Sequence, residues 1–357
     1  MFGEDVPRSA ALRTYEIELP KFRRFSNTVE ALTTNLCNMQ GIKYQTIEAR
    51  AKELESLERK LARHPDYQRL SDAEDLCGVR IVTFYLNDVD AVRDLIRREF
   101  DVLKEESRRA ASPDAFGYQS LHVIARLSEE RRTLTEYQEY AGFRAEFQVR
   151  TVLQHAWGVI SHALDYKNED AVPAEVRRKL FRLAALLETG DELFGAFRVE
   201  VENLRANYAH QVTVEEWHNL PLNFDSVLAS WHKLPLAAVQ RVADSSGFAT
   251  DEQTHDQDGQ HFRNSLNGLV SLATTAGLTN LGELADLMTA VGDQSDKLSI
   301  LVEEIKSRGT LPAGDPCDVI VLSMLLRDPR LRVRGAILFR PEIEDSLDVI
   351  LHREGLR

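Results

Sequence analysis

The stretch Ala145-Glu146-Phe147-Gln148-Val149-Arg150 alternates apolar and polar side chains along its whole length. A β-strand points successive side chains to opposite faces, so its apolar members are predicted to enter a core while the polar ones share the other face. A second stretch, Gly117-Tyr118-Gln119-Ser120-Leu121-His122, groups an aromatic ring, a hydroxyl and an imidazole in the same way. We expect such a face to be able to hold a base and its sugar, although a polar strand face is more often simply solvated.

Size and charge restrict the kinds of partner. A chain of 357 residues with 43% hydrophobic content is long enough for two or three cores, and we expect two domains. The formal net charge of -13 argues against broad, sequence-independent binding of nucleic acid, because neutralising phosphates requires a dense basic surface. The net charge does not argue against a local basic site that binds phosphate groups.

Cysteine spacing and hydropathy indicate in which cellular compartment the protein is expected. Cys37, Cys77 and Cys317 form no C-x-x-C pair, so neither a structural zinc site nor a disulfide framework is indicated. Buried thiols in a reducing compartment are the simpler interpretation. The sequence has no apolar run long enough to cross a bilayer, and residues 1–10 lack the apolar region of a signal peptide. We therefore expect a cytoplasmic protein without a membrane partner.

Hydrophobic periodicity predicts helices alternating with strands, followed by helices alone. Helices are predicted over Leu12–Gln40, Glu53–Arg63, Val89–Phe100, Val152–Ala163 and Pro173–Arg205. Strands are predicted over Ile42–Ile47, Leu76–Leu86, Tyr118–Leu127 and Phe143–Arg150, with a flexible loop over Val102–Phe116. This order predicts an α+β fold, in which a mixed β-sheet flanked by helices is joined to an all-α C-terminal domain. The expected divisions are residues 11–206, a connection and linker over 207–259, and a helical domain of unknown role over 260–357.

Charged residues cluster where the predicted strands begin or end. Asp75 stands at the entrance to the buried run Leu76–Leu86, and strand ends are where open sheets place ligand-binding groups. A carboxylate there suits Mg²⁺, which prefers hard oxygen ligands, although a turn cap is the alternative. Arg50 and Lys52 share one side if the backbone is extended, as a polyphosphate site would need. From Lys52 onward, cations recur at helical spacing through Arg63; an ordinary solvated helix face has the same pattern.

Taken in order, these segments resemble the synthetase domain of RelA/SpoT proteins over roughly Ile42 to Lys167. The extension over 172–194 is similar to that of the single-domain subgroup, the small alarmone synthetases, and the remaining C-terminal part resembles nothing recognised. The motifs that carry the resemblance are Arg50-x-Lys52 with Lys60, Asp75-Leu-Cys-Gly78-Val-Arg80-Ile81, Gly117-Tyr118-Gln-Ser120-Leu-His122, Glu146-Phe-Gln148-Val-Arg150-Thr151 and His155-Ala-Trp157 with His162-x-x-x-Tyr166-Lys167.

The resemblance implies a nucleotidyltransferase-like fold and the transfer of pyrophosphate from ATP to the 3′-hydroxyl of GDP or GTP, which makes the alarmone (p)ppGpp. It implies that Asp75 and Glu146 are the catalytic carboxylates and bind Mg²⁺, and that Glu146 orients or deprotonates the attacking hydroxyl. His155 on the following helix is expected to support the site rather than to bind metal. The implied nucleotide-binding residues are Arg50 and Arg80 around adenine, Lys52 and Lys60 on the ATP phosphates, Tyr118 on the acceptor base, and His122, Gln148 and Arg150 around the acceptor or its phosphates.

Two departures from the family pattern leave the acceptor open. Pro113-Asp114 stands where many synthetases have Pro-Lys, and Ser161-His162 stands where they have Glu-His; Arg108 and Arg109 are candidate replacements for the missing cation. One alternative is therefore a toxic synthetase that modifies the 3′ end of tRNA, or adenine nucleotides; another is a non-catalytic nucleotide sensor. Only about forty residues precede the motifs, too few for the hydrolase domain of longer relatives, so hydrolysis is not predicted. The helices offer a surface for homo-oligomers.

Overall fold

The computed structural model describes residues 6–64, 66–67, 69–108, 120–163, 173–213, 217–249, 259–310, 312, 314–331 and 341–353. The chain divides into two compact units, Met1–Val199 and Glu200–Arg357. Within the described residues, no helix combines the length and the apolar character needed to span a membrane.

The helices and strands have the following bounds. The strands are β1 (Tyr44–Ala51), β2 (Cys77–Thr83), β3 (Phe100–Arg108), β4 (Ser120–Leu127) and β5 (Ala145–Thr151). The helices of the first unit are α1 (Val6–Met39), α2 (Leu54–Arg63), α3 (Leu86–Glu99), α4 (Glu129–Arg132), α5 (Val152–Ala163) and most of α6 (Ala174–Thr213). Those that follow are α7 (Phe224–Ser230), α8 (Leu236–Ser246), α9 (Gln260–Thr275), α10 (Leu281–Thr289), α11 (Ser295–Ser307), α12 (Pro316–Arg327) and α13 (Pro341–Arg353).

A five-stranded mixed sheet forms the centre of the first unit. Its strand order is β1-β2-β5-β4-β3; β2 and β5 run parallel, and the other neighbouring pairs are antiparallel. Phe147 and Val149 of β5 are fully buried and pack with Ile81 of β2, Phe25 of α1 and Leu95 of α3. The predicted α+β class with a mixed sheet is therefore confirmed, and one face of the sheet is left for polar side chains.

The strand β3 differs from the prediction. Residues Val102–Phe116 were expected to form a flexible loop, but Val102 to Arg108 continue an antiparallel strand beside β4. The run Lys104-Glu105-Glu106 hid this strand because β3 is at the edge of the sheet, where charged side chains are common and protect the open edge. Residues 109–116 lie outside the described part of the chain.

The second unit is helical and has its own core. Leu266, Leu298 and Leu322 of three different helices are buried there, so the predicted all-α C-terminal domain is confirmed. The expected linker over 207–259 differs from the structure, because Trp217 and Trp231 are also buried in this core. Aromatic side chains bury a large apolar area, and this holds the segment in the helical unit. Residues 250–258, the most linker-like part, are outside the described residues.

Candidate active site

Strand pairing brings the predicted polar residues onto one face of the sheet. Arg50 pairs with Gly78, which in turn pairs with Glu146. In the next row, Arg80 pairs with Gln148, and Gln148 pairs with His122. Directly paired residues point to the same side of a sheet, so these side chains form one polar surface across four strands. The burial of β5 alternates residue by residue, as its sequence pattern predicts.

Hydrogen bonds hold both oxygens of the Glu146 carboxylate. His122 Nδ1 lies 2.8 Å from Glu146 Oε1, and Gln148 Nε2 donates to Oε2 at 3.1 Å. Arg150 Nη2 donates to Gln148 Oε1 at 3.0 Å, while His122 Nε2 lies 2.9 Å from Ser120 Oγ. A carboxylate only accepts hydrogen bonds, so a neutral His122 carries its proton on Nδ1 and accepts from Ser120. The row Ser120–His122–Glu146–Gln148–Arg150 fixes the direction of the carboxylate.

These contacts keep Glu146 ionised. Burial raises the pKa of the Glu146 carboxyl, and the hydrogen bonds from His122 and Gln148 more than offset this, so the pKa lies below its usual range. The negative charge of Asp75 acts in the opposite sense and raises the pKa of Glu146. At neutral pH the group is therefore a carboxylate whose direction is fixed by its two partners.

Asp75 lies two residues before β2 and is held by two lysines. Lys52 Nζ lies 2.8 Å from one carboxylate oxygen of Asp75, and Lys60 Nζ lies 2.8 Å from the other. Burial raises the pKa of Asp75, but the two ammonium groups lower it more. The backbone N–H of Lys52 donates to the carbonyl of Leu76 at 2.9 Å, which joins the end of β1 to the entrance of β2. Asp75 is thus an ionised carboxylate at the centre of a cationic cluster.

Two neighbouring cavities share the carboxylates. A cavity of about 520 Å³ is lined by both Asp75 and Glu146, together with Arg50, Lys52 and Arg80. A second cavity of about 420 Å³ is lined by the same two carboxylates and adds His122, Arg150 and His155. The two carboxylates, far apart in sequence, therefore face common space. That arrangement suits two ligands that meet at Glu146.

A third cavity continues from Lys52 along the helix α2. It has a volume of about 410 Å³ and is lined by Lys52, Ser56, Arg59, Lys60, Arg63 and His64. The helical spacing of these cations thus produces a continuous basic groove rather than scattered surface charges. Ammonium and guanidinium groups at this density bind polyphosphates through charge-assisted hydrogen bonds.

The donors at the site fit Mg²⁺ bound in part by its substrate. No group of three or more His, Cys, Asp or Glu side chains in the described ranges could hold a metal by itself. Mg²⁺ uses one or two carboxylates together with water and substrate phosphates, and Asp75 and Glu146 supply two carboxylates in one cavity. The described residues therefore do not fit a metal site built from protein ligands alone. They fit a Mg²⁺ site that is completed by water and by phosphates of a bound ligand.

Nine of the ten site residues implied by the resemblance lie within the described part of the chain, and so does the expected supporting residue, His155. His155 is on α5 and lines the second cavity; burial and the charges of Arg80 and Arg150 lower its pKa. Tyr118 lies outside the described residues, as do Arg109 and the Pro113-Asp114 pair, so their roles stay predictions.

Gly158 and Glu48 were missed by sequence reasoning. A Cβ atom at Gly158 would lie 2.8 Å from Arg150 Nη1, so the helix α5 closely approaches that guanidinium. Its position three residues after His155, on the same helical face, was the available signal. Glu48 pairs with Arg80 and lines the first cavity; it is two residues before Arg50 on the same face of β1.

Fold and site together define an α+β domain in which two carboxylates and a dense set of cations line adjoining cavities. Residues 49–171 match the family described as "Region found in RelA / SpoT proteins". The chain therefore contains a RelA/SpoT domain, and the resemblance predicted from the motifs is confirmed for this part. The rest of the chain, including the whole second unit, lies outside that match.

Two curated relatives and one solved structure are similar to this chain. GTP pyrophosphokinase YjbM of Bacillus subtilis (strain 168) is 26% identical over 145 residues, which are 39% of this chain and only 64% of YjbM. GTP pyrophosphokinase YwaC of the same organism is 27% identical over 159 residues, 43% of this chain and 73% of YwaC. A crystal structure of small alarmone synthetase 1 from Bacillus subtilis bound to its product pppGpp is 21% identical to this chain, with a TM-score of 0.44, and the match covers 53% of this chain and 99% of that one.

Proposed function

We propose that this chain is a Mg²⁺-dependent pyrophosphokinase that transfers pyrophosphate from ATP to the 3′-hydroxyl of GDP or GTP. The observation that carries the proposal is the ionised Glu146 carboxylate, fixed by His122 and Gln148 between two cavities. The names of the two relatives, both GTP pyrophosphokinases, support the same reaction.

Glu146 acts as the proton acceptor in this mechanism. Its carboxylate takes the proton of the acceptor's 3′-hydroxyl as the oxygen attacks the β-phosphorus of ATP. The bond between that phosphorus and the oxygen bridging to the α-phosphate breaks, AMP leaves, and the β- and γ-phosphates are transferred together. His122 and Gln148 hold the carboxylate in line with the hydroxyl, because transfer of this kind depends mainly on positioning and charge.

The first cavity and the basic groove hold the donor. Arg50 and Arg80 bracket adenine by stacking, since planar guanidinium groups pack against aromatic rings. Lys52 and Lys60 contact the phosphates and neutralise charge that spreads over them during transfer. Asp75 and Glu146 would hold Mg²⁺, which would supply further neutralisation of the same charge.

The second cavity holds the acceptor. Arg150 and His122 line it beside Glu146, where they can bind phosphate and ribose oxygens. Tyr118 is proposed to stack on the acceptor base, which keeps the role given to it by the motif Gly117-Tyr118. The sugar then lies next to Glu146, so that its 3′-hydroxyl meets the donor at the wall common to both cavities.

Product identification tests the proposal directly. Purified protein is incubated with ATP, Mg²⁺ and, in parallel, GTP, GDP, GMP, AMP and deacylated tRNA, and products are identified by mass. We expect guanosine nucleotides that carry a 3′-pyrophosphate, with AMP formed in equal amount. Pyrophosphate on the tRNA or on AMP alone would move the acceptor to the alternative class, and no transfer to any acceptor would reject the enzyme.

A further inference from the structure

A buried carboxylate outside the two cavities contacts the end of the strand that carries Glu146. Asp191, on α6, is 1% exposed, and its Oδ2 accepts a hydrogen bond from Thr151 Oγ1 at 2.7 Å. Thr151 is the last residue of β5 and is fully buried. Burying a carboxylate is costly unless hydrogen bonds compensate, so a carboxylate at this place needs a specific reason.

Thr151 also begins the helix α5. The backbone N–H of Gln154 donates to Thr151 Oγ1 at 3.1 Å, and the backbone N–H of Thr151 donates to Gln154 Oε1 at 2.9 Å. This reciprocal pair is a capping box, which fixes the direction in which a helix leaves the preceding chain. The hydroxyl of Thr151 therefore serves two elements at once: it accepts from α5 and donates to Asp191 of α6.

We propose that Asp191 is a positioning residue that acts through Thr151 on the acceptor side of the site. The inference rests on the proposed function. Asp191 lines neither cavity, so it would affect the reaction without touching either substrate. Asp191 holds the Thr151 hydroxyl in the orientation that caps α5, and the cap sets the angle between β5 and α5.

That angle controls two sides of the second cavity. Arg150 immediately precedes Thr151, while His155 and Gly158 follow on α5 and line the same cavity. The approach of α5 to the Arg150 guanidinium at Gly158 leaves no room for a Cβ atom without a shift. Arg150 in turn donates to Gln148, and Gln148 donates to Glu146. A tilt of α5 is thus transmitted to the carboxylate through two hydrogen bonds.

A set of variants at Thr151 and Asp191 tests the proposal. Thr151→Val keeps the shape but removes the hydroxyl, Thr151→Ser keeps the hydroxyl, and Asp191→Ala removes the carboxylate. We expect kcat with GDP to fall about 10- to 100-fold in Thr151→Val and in Asp191→Ala, because small misplacements cost this much in positioned reactions. Thr151→Ser should stay close to wild type, and KM for ATP should change little in any variant, since the donor groups are on β1 and α2.

The double variant separates a shared contact from two independent losses. If Asp191 acts through Thr151, Thr151→Val combined with Asp191→Ala should be no slower than either single variant. Full additivity, or wild-type kcat in Thr151→Val, would overturn the proposal.

Arg198→Ala is the matched control for loosening of α6. Arg198 Nη1 pairs with the buried Asp88 Oδ1 at 2.7 Å, so its loss weakens the packing of α6 in the first unit without touching Thr151. We expect it to lower the melting temperature but to leave kcat near wild type. An equal loss of kcat in Arg198→Ala and Asp191→Ala would show a general packing role and reject the positioning role.

Hydrogen exchange makes this test independent of turnover. Asp191→Ala should speed exchange of the backbone amides of residues 151–155 relative to Arg198→Ala, whether or not the protein is active. If wild type makes no product but this exchange changes as expected, the proposed function fails while the contact from Asp191 to the α5 cap stands. If exchange is unchanged, the proposal fails even where the enzyme is active.

Discussion

At the scale of single residues, the two central carboxylates are kept ionised by different means. Asp75 is neutralised by two ammonium groups, whereas Glu146 is held by an imidazole and an amide. The pKa of each carboxyl lies below its usual range, but the charge of Asp75 is balanced by two cations, whereas Glu146 is held in a fixed direction by hydrogen bonds from an imidazole and an amide. This difference is the reason that the proposed mechanism gives the phosphate- and metal-binding role to Asp75 and the proton-accepting role to Glu146.

Replacing Glu146 by Gln should stop turnover without preventing ATP binding. The amide has nearly the same shape, but it cannot take the proton of the acceptor hydroxyl. We expect kcat to fall about 10²- to 10⁴-fold, while the Kd for ATP measured by titration calorimetry changes less than about 3-fold. Glu130→Gln, at an exposed position on α4, is the control that also removes one negative charge. Undiminished turnover in Glu146→Gln would remove this residue from the mechanism.

Lys60→Met should weaken ATP binding rather than acceptor binding. The change removes one of the two cations on Asp75 and one wall of the basic groove along α2. We expect the Kd for ATP to rise about 10-fold, in the range of one lost charge-assisted hydrogen bond, and the Kd for GDP to stay within about 2-fold. The exposed Lys43 provides the matched control, Lys43→Met. A larger effect on GDP than on ATP would contradict the donor assignment of this groove.

At the scale of secondary structure, the sequence predicted β5 far better than β3. The strict alternation of β5 survives in the fold because one of its faces is buried and the other lines the site. The charged run of β3 gave no such signal, since an edge strand needs only part of its surface covered. The contact between Asp191 and Thr151 was also beyond sequence reasoning: forty residues separate its partners, and no local pattern marks a long-range hydrogen bond. The Thr151-x-x-Gln154 capping box was visible in the sequence.

The close contact between α5 and β5 predicts that alanine substitutions at two helical glycines differ in their effects on stability and on kcat. Gly158→Ala adds a Cβ where Arg150 Nη1 would be 2.8 Å away, whereas a Cβ at Gly195 meets no atom within 4 Å. Alanine stabilises a helix interior by about 0.5–1 kcal/mol relative to glycine, so Gly195→Ala should raise stability and leave kcat unchanged. Gly158→Ala should gain less stability and lower kcat, because the Arg150 guanidinium must move away from Gln148. Urea denaturation and steady-state kinetics on both variants check this, and equal kcat values would show that Arg150 relocates without consequence.

At the scale of the whole molecule, the two units differ in how much of their function the sequence indicates. The first unit carries sequence motifs that predict its candidate site, and no such motif was recognised in the second. The first unit could be predicted because its chemistry is set by residue types at fixed spacing around strands. The second unit could be predicted as helical from its apolar spacing, but packing alone carries no functional signal. Among the described residues, the buried core of the helical unit uses positions from Tyr208 onward, while the buried cores around the sheet use positions up to Val149.

Because the two units have separate cores, a substitution at Asp318 is expected to change the stability of the helical unit alone. Burial raises the pKa of Asp318 on α12 to about 6, and the nearby charge of Asp315 adds to this, while His261 acts in the opposite sense. Because the folded-state pKa is above the ordinary value of 3.8, this contribution to stability is full below that value and is lost as pH rises through about 6. Asp318→Asn should therefore stabilise the helical unit at pH 7 by about 1–2 kcal/mol, less than the roughly 3 kcal/mol that the whole pKa shift represents at about 1.36 kcal/mol per pKa unit. It should also flatten the dependence of stability on pH between about 4 and 7.

The three tryptophans allow this to be measured in the intact chain. Trp217 and Trp231 are buried in the helical core, and Trp157 is on α5, so Trp157→Phe leaves fluorescence that reports on the helical unit alone. In that background, Asp318→Asn should raise the urea midpoint at pH 7 and have little effect at pH 4, where the carboxyl is already protonated in the folded state. Asp286→Asn, at an exposed site on α10, is the matched control and should change neither midpoint. A stabilisation of equal size at both pH values would contradict the titration of Asp318 and leave only a packing effect of the amide.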